Sequence, residues 1–284
     1  LIQNLVQNVS DTALWVAFYR AMESERPDAL FRDPYARRLA GERGEKIVRH
    51  MKGGKGSAWA MIVRTSLLDE MIQRAIARDG VDMVINLAAG LDTRPYRLPL
   101  PPALRWVEVD LAPLLDYKES ILAGEKPVCD LERVRLDLTD GAGRRNLFAR
   151  LGAAAQKVLI ITEGLLVYLP EGEVASLAAD LHTPPSFHDW LLDLASPWLL
   201  QYLKRTWSKQ LANAPFLFGP AAGVEFFRPH GWQAVEELYM WEEGARLGRQ
   251  PPFSRLFRIL GLLMPKAKRE TMRKASSVAR LGRL

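Results

Sequence analysis

Acidic residues close a succession of short apolar runs, and this placement is the chemical signal the chain offers. The runs VDMVINLAAG (81–90), LRWVEVD (104–110), RVRLDL (133–138), KVLIITEG (157–164) and DWLLDLAS (189–196) are bounded by turn residues. Such runs suit strands buried on both faces of a parallel sheet. The first leads into LAAGLDTRPYRL (87–98), the second ends at Glu108-Val109-Asp110, the third at Asp137-Leu138 and the fourth at Glu163-Gly164. In a doubly wound sheet the ligand lies beyond the carboxyl ends of the strands, so these acids share one rim. The first loop narrows the choice of ligand. A dinucleotide site wants G-x-G-x-x-G so that backbone can approach a pyrophosphate, whereas only Gly90 is present, with Ala88 and Ala89 before it and Thr93 after it. Asp110 follows Gly90 by twenty residues, a spacing suited to a carboxylate that accepts both hydroxyls of a ribose. A nucleoside without a diphosphate fits this loop better than NAD, and S-adenosyl-L-methionine is a ligand of that kind.

Helical patterns at 112–123, 141–151 and 171–182 separate the runs, and strand–helix alternation of this sort builds βαβ units in a Rossmann-like α/β fold with a doubly wound, mostly parallel sheet. Ahead of it, residues 10–41 read as helical: Leu14, Trp15, Phe18 and Met22 recur at helical spacing behind a Ser10 or Asp11 cap. Asp33-Pro34 opens a second helix. Residues 52–56 are a glycine-rich loop, and a long helix runs from about Ser57 to Arg78. Beyond residue 196 come an aromatic segment (197–222), VEFF (224–227), a helix expected around 232–246, an apolar basic helix expected around 253–264, and a final strand at 276–283. One domain is expected over 1–284: a helical cover (10–80), a cofactor-binding core (81–196) and a substrate cover with a basic tail (197–284).

AAGLDTRPYRL, Glu108-Val109-Asp110, Asp137-Leu138 and ITEGLLVYL (161–169), with SDTALWVAFYRAMESERPDALFRDPYARRLAG (10–41), resemble the leucine carboxyl methyltransferase family of S-adenosylmethionine-dependent O-methyltransferases. The likeness is to its bacterial branch, linked to secondary metabolism, and covers roughly residues 10–195. It implies a seven-stranded class I methyltransferase sheet. It further implies that Arg64 pairs with the methionine carboxylate of the cofactor, that Gly90 lets backbone pass close to it, and that Asp110 holds the ribose diol. Asp137 and the Leu138 backbone would frame the adenine, and Glu163 would face the methionine amino group. Two positions depart from the eukaryotic members, which have Gly where Ala88 stands and bring a Lys to the cofactor from the region where this chain offers Trp15. Arg20 is the candidate substitute. Taken singly, Arg64 could only bridge to Asp69 or Glu70 on its own helix, Asp92 could pair locally with Arg94 or Arg97, and Glu163 could cap the following helix.

Methyl transfer from a sulfonium is an in-line displacement that needs positioning and exclusion of water. A carboxylate acceptor requires no general base, whereas a hydroxyl usually does. His50, His182, His188 and His230 are the only histidines; His230, in FFRPHGW, is the one to test as a base. Arg20, Arg94, Arg97 and Arg228 are candidates to anchor an acceptor's charge. Twelve of the 25 aromatic residues lie between Phe187 and Trp241, and Trp198, Tyr202, Trp207, Phe216 and Phe218 are expected to line an apolar acceptor pocket.

Apolar residues at 48% and charged residues at 25% exclude a disordered chain or a fibre. Cys129 is the single cysteine and suggests a reducing, cytoplasmic setting. The start LIQNLVQNVSD lacks the marks of a signal peptide and an initiator Met, so a trimmed chain is expected. No run is long enough to span a membrane, and no metal is called for. From Arg246 onward eleven bases face one acid, while the preceding chain carries four more acids than bases. Such a tail could bind nucleic acid or anionic lipid, although a solvated helix face is the simpler expectation. Three readings follow: a methyltransferase acting on a small molecule, a binding module working through its tail, and a relative with altered chemistry in the same cofactor pocket. Oligomeric state is left open.

Overall fold

Val84 and Ile85 are both fully buried although they point to opposite faces of one strand, which is why the run around them is apolar throughout. The computed structural model describes residues 6–51, 54–251, 254 and 265–284. Strand β1 (Met83–Leu87) is central. Met83, Ile85 and Leu87 pack beneath α6 (Gly141–Ala153) and α7 (Glu171–His182), while Val84 joins the core beneath α3 (Gly54–Asp79). Strands β2 (Arg105–Asp110), β3 (Asp130–Arg135), β4 (Val158–Thr162) and β5 (Phe187–Ala195) run parallel to it. Strand β7 (Ser276–Arg283) inserts antiparallel between β5 and β6 (Trp232–Tyr239), giving the order β3-β2-β1-β4-β5-β7-β6. The order reverses between β1 and β4, so a crevice opens there beyond the carboxyl ends. This is the doubly wound sheet expected, with seven strands.

A third apolar cluster lies beyond those ends. It joins α1 (Asp11–Ser24), α2 (Ala36–His50), Leu114 of α5 (Ala112–Ile121), and Leu200 and Trp207 of α8 (Pro197–Trp207). The N-terminal helices and α8 together roof the crevice. Short α4 (Arg94–Arg97) follows the β1 loop, and α9 (Met240–Arg246) and α10 (Lys266–Arg273) flank the last strands.

Two expectations need correction. The third strand ends at Arg135, because its ladder stops where β2 stops: Arg135 is opposite Asp110, and the Leu136 N–H makes a last bond to the Asp110 carbonyl. Leu138 is therefore loop. The helix expected around 232–246 is two elements, since the open edge of β7 recruits Trp232–Tyr239 into a ladder and leaves only α9 helical. VEFF belongs to a 3-10 stretch, Gly223–His230. The helix at 171–182 and the strand at 276–283 fall where expected. Lys52, Gly53 and nearly all of the basic helix around 253–264 lie outside the described residues.

Three arginines of the described tail spend their charge on the acidic body. Arg246 pairs with Glu70 and Glu243, Arg280 with Asp79 and Asp189, and Arg249 with Asp28 and, through two nitrogens, with Glu23. Glu23 is fully buried. Arg249→Met should leave that carboxylate only the Leu30 N–H at 2.8 Å and Arg26 at 3.6 Å and lower unfolding free energy by about 2–3 kcal/mol, read as a fall in the denaturant midpoint with an unchanged slope. A loss below about 1 kcal/mol would be that of a surface pair.

Candidate functional site

The loop after β1 turns on two left-handed residues, Ala88 and Gly90, both with φ of 52°. Gly90 is needed there: its N–H donates to Asp110 Oδ2 at 2.7 Å, and a Cβ on it would sit 3.4 Å from the Ala13 methyl of α1. The other Asp110 oxygen accepts the Leu111 N–H at 2.7 Å. Asp110 is 8% exposed and lines the crevice. Burial pushes its carboxyl above the usual aspartate range, although both N–H donors pull the other way. Ala88 is the only non-glycine in the left-handed region among the described residues.

A buried ion network forms the floor. Arg64, from α3, donates through Nε to Glu163 Oε1 at 3.0 Å and through Nη1 to Asp193 Oδ2 at 3.1 Å. Arg94 binds Asp69 at 2.6 Å, Asp92 at 2.8 Å and the other Glu163 oxygen at 2.7 Å. Arg97 grips Asp69 with two nitrogens, and Arg20 reaches Asp33 at 2.8 Å and the Leu91 carbonyl. The Asn86 amide donates to Asp92, and Asp193 Oδ1 accepts the Gly164 N–H at 2.6 Å. Gly164 has φ of 66°, and a Cβ would lie 3.2 Å from the Arg64 guanidinium, so glycine both makes the turn and admits the cation. Burial alone would raise Glu163, but Arg94 and Arg64 outweigh it and hold the carboxyl below its ordinary value. Asp92 is likewise held far down against burial, chiefly by Arg94. These acids contribute stability that is complete above the ordinary carboxylate range, near about pH 4, and is lost only as pH falls through their lower folded values.

A cavity of about 770 Å³ spans this floor and the roof. Arg64, Ala88, Gly90, Asp110, Asp137, Leu138 and Glu163 all border it, as do Arg20, Arg94 and Arg97. Asp137 is exposed, and the Thr139 N–H and hydroxyl bond one of its oxygens and lower its pKa. The Leu138 carbonyl is taken by Arg144. Trp198, Tyr202, Trp207 and Phe216 form an aromatic wall, with Trp198 and Tyr202 stacked at 6.0 Å. Phe218 does not border the cavity. The chain is pinned by Leu217 and Phe218 N–H bonds to the Val167 carbonyl, which carries Phe218 past the wall to pack on Phe226 and Phe227. Arg228 and His230 also lie elsewhere, because the 3-10 stretch holding them packs on α7 and β6; His230 rests against Phe226. Among the described residues no histidine lines the cavity.

Arg64 does not bridge along its own helix: Asp69 serves Arg94 and Arg97, and Glu70 serves Arg246. Asp193 went unread although it sits near the end of the fifth apolar run, where the rim acids of the other strands gave the cue. Tyr168 was missed too. It lies on the wall bonded to Thr12, its phenol pushed up to about 12 by burial. Glu108 faces away and is a buried partner of Lys118 and Arg133.

Six buried side-chain polar atoms have no partner among the described residues, and four belong to cavity-lining residues: Trp15 Nε1, Thr65 Oγ1, Arg94 Nη2 and Arg97 Nε. Three of the four can only donate. The cavity wall is therefore short of acceptors, which fits a ligand that brings oxygens.

A strand order of 3-2-1-4-5-7-6 with one antiparallel insertion and a cavity at the switch point define a class I methyltransferase architecture. A crystal structure of a candidate methyltransferase from Thermobifida fusca shares this fold at a TM-score of 0.61 and 14% identity, with 98% of this chain and 96% of that one covered. A DUF574 family protein from Streptomyces avermitilis does so at 0.57 and 14%, over 95% and 97%. Residues 13–182 match the leucine carboxyl methyltransferase family, and the chain belongs to that family. A candidate S-adenosyl-L-methionine-dependent methyltransferase of Streptomyces coelicolor is 39% identical over 184 residues, 59% of this chain and 62% of that relative. The matched stretch is thus about three fifths of that relative's length. A Streptomyces avermitilis relative described in the same way is 31% identical over 251 residues, 84% of this chain and 87% of its own.

Ala88 carries a conformation that costs an L-residue about 1–2 kcal/mol. Ala88→Gly should relieve it and, net of the entropy glycine loses on folding, stabilise the protein by about 0.5–1 kcal/mol. A fall in melting temperature would show that the Ala88 methyl is packed rather than strained.

Proposed function

We propose that the chain is an S-adenosyl-L-methionine-dependent O-methyltransferase that esterifies the carboxylate of a small metabolite, with a hydroxyl as the less favoured acceptor. The observation that carries this reading is one cavity with two chemistries. At one end are the Asp110–Gly90 bend and the ionised floor, at the other an aromatic wall without a histidine. The relatives are named for the same cofactor, and the family for carboxyl methylation.

The residues present fit the cofactor. Asp110, fixed by two backbone donors, still has lone pairs for a ribose diol. Asp137 and the Leu138 N–H border the place for adenine. The Thr65 hydroxyl and Arg94 Nη2, both unmatched, suit the carboxylate of the methionine moiety alongside Arg64. Glu163, though held by two guanidiniums, keeps acceptor capacity for an ammonium. When bound, the cofactor supplies a sulfonium methyl that an acceptor oxygen takes in line with one electron pair, the C–S pair returning to sulfur. A carboxylate leaves no proton to move, consistent with a wall whose Tyr168 is too weak an acid to serve as a neutral-pH base.

S-adenosylhomocysteine should bind in calorimetry, and Asp110→Asn should weaken it at least about tenfold while the variant stays folded by circular dichroism, its unfolding free energy lower by about 1–3 kcal/mol because the Asn NH2 must face one of the two backbone N–H donors. Unchanged affinity in the variant would remove Asp110 from the site. Acid should separate binding from folding. Ribose recognition needs the ionised Asp110, whose pKa is raised, so affinity is present above that pKa and falls as pH drops through it. Glu163 and Asp92 hold the fold to lower pH. Calorimetry and circular dichroism across pH 7 to 4 should show binding fail first; simultaneous loss would sink this ordering.

A further inference from the structure

Two of the buried indoles elsewhere in the fold are paired. Trp190 Nε1 donates to Thr162 Oγ1 at 2.9 Å, and Trp232 Nε1 to the Ala178 carbonyl at 3.0 Å. Trp15 is only 4% exposed, yet its Nε1 has no acceptor among the described residues. Trp106 shares that condition but packs in the core under α3, off the cavity wall. Trp15 is on the wall. Its ring is fixed edge-to-face against Trp207 at 5.8 Å, and Trp207 leans in turn on Phe216. On the same helix Ala13 lies against Gly90 of the cofactor loop, while Trp15 is turned toward α8. An unmatched buried donor is costly to keep unless something arrives to meet it.

The surroundings narrow what that is. Trp198, Tyr202, Trp207 and Phe216 give the cavity an aromatic wall, and Arg273, which also borders the cavity, is engaged by Glu242 at 2.8 Å and Glu270 at 3.2 Å. We propose that the Trp15 indole N–H anchors one oxygen of the methyl acceptor, and that this acceptor is a carboxylate on an aromatic or otherwise apolar body. The assignment rests on the methyltransferase reading and deepens it. A carboxylate has two oxygens, so one can accept from Trp15 while the other keeps its lone pairs for the methyl. A hydroxyl acceptor has a single oxygen, and a donor bound to it would withdraw the electrons that must attack. An amine has a single lone pair, and the donor would occupy the pair that must attack. A single neutral donor orients the anion without quenching it, as a guanidinium fork would.

Indole 15N NMR tests this directly. The chain has eight tryptophans, and Trp15→Phe, which keeps a ring on Trp207, identifies the Trp15 signal by its loss. With S-adenosylhomocysteine saturating, 2-naphthylacetate should move the Trp15 indole proton downfield, and 2-naphthaleneethanol should not. In Trp15→Phe the affinity for 2-naphthylacetate should fall about tenfold, with S-adenosylhomocysteine affinity within about twofold of the parent. Three results overturn the proposal: a Trp15 signal that responds to S-adenosylhomocysteine and no further to the acid, an equal response to acid and alcohol, or unchanged acid affinity in the variant. Failure of the parent protein to bind 2-naphthylacetate at millimolar concentration also overturns it. Failure to bind S-adenosylhomocysteine at all brings down the methyltransferase reading instead.

Discussion

Glu163 is held between two guanidiniums, one from α3 and one from the start of α4 just after the β1 loop, and the geometry of the crevice depends on that arrangement. Its carboxylate is at the end of β4. Through Arg64 it is tied to Asp193 at the end of β5, and through Arg94 to Asp92 and Asp69. Each of these charges has left water, a transfer that costs several kcal/mol per ion unless partners are in place. A slip of α3 by one residue, or a different path for the β1 loop, would leave a buried charge unmatched. The network therefore tolerates one relative placement of three strand ends and a helix. Apolar side chains of similar volume could hold the layers together as well, but they would not fix donors and acceptors in the crevice.

Small residues stand where the network leaves no room. Gly164 turns with the Arg64 guanidinium against it, and Gly90 turns beneath α1 while giving its N–H to Asp110. Ala88 makes the same kind of turn with a side chain present. The strain is local because Arg20 ties the loop at Leu91 and Thr93 ties it at Asp33. A loop over-determined at both ends can keep one unfavourable torsion.

The rim was legible in the sequence because each strand-end acid follows its apolar run directly; Asp110 and Gly90 were tied together by spacing alone and are bonded in the structure. Partners distant in sequence were not legible. Arg64 has acids five and six residues away on its own helix, yet it bonds Glu163 and Asp193, ninety-nine and 129 residues on. Only the packing of α3 across the sheet brings them near, and no local period reports it. The same blindness explains β6, whose residues fit either period until β7 supplies an edge. It also explains Phe218, an aromatic in an aromatic segment that one backbone anchor at Val167 sends into the core.

Placing an internally paired ion network beside an apolar chamber has a consequence for charge. The guanidiniums of Arg20, Arg64, Arg94 and Arg97 all face carboxylates of the protein, so little positive field is left to hold an anion in the chamber. In the proposed reaction, an acceptor carboxylate entering there would exchange its water for aromatic edges and a few fixed donors. Its strongest attraction is then to whatever positive charge the ligand on the floor carries. Reaction between an anion and a cation cancels both charges, and surroundings of low polarity favour that loss because water no longer stabilises the separated ions. A wall with free arginines would bind an acid more tightly and slow the same step, since it would stabilise the charged ground state more than a transition state in which that charge is being lost. Pairing the cations internally positions the site and, for the proposed carboxylate acceptor, would leave the anion reactive.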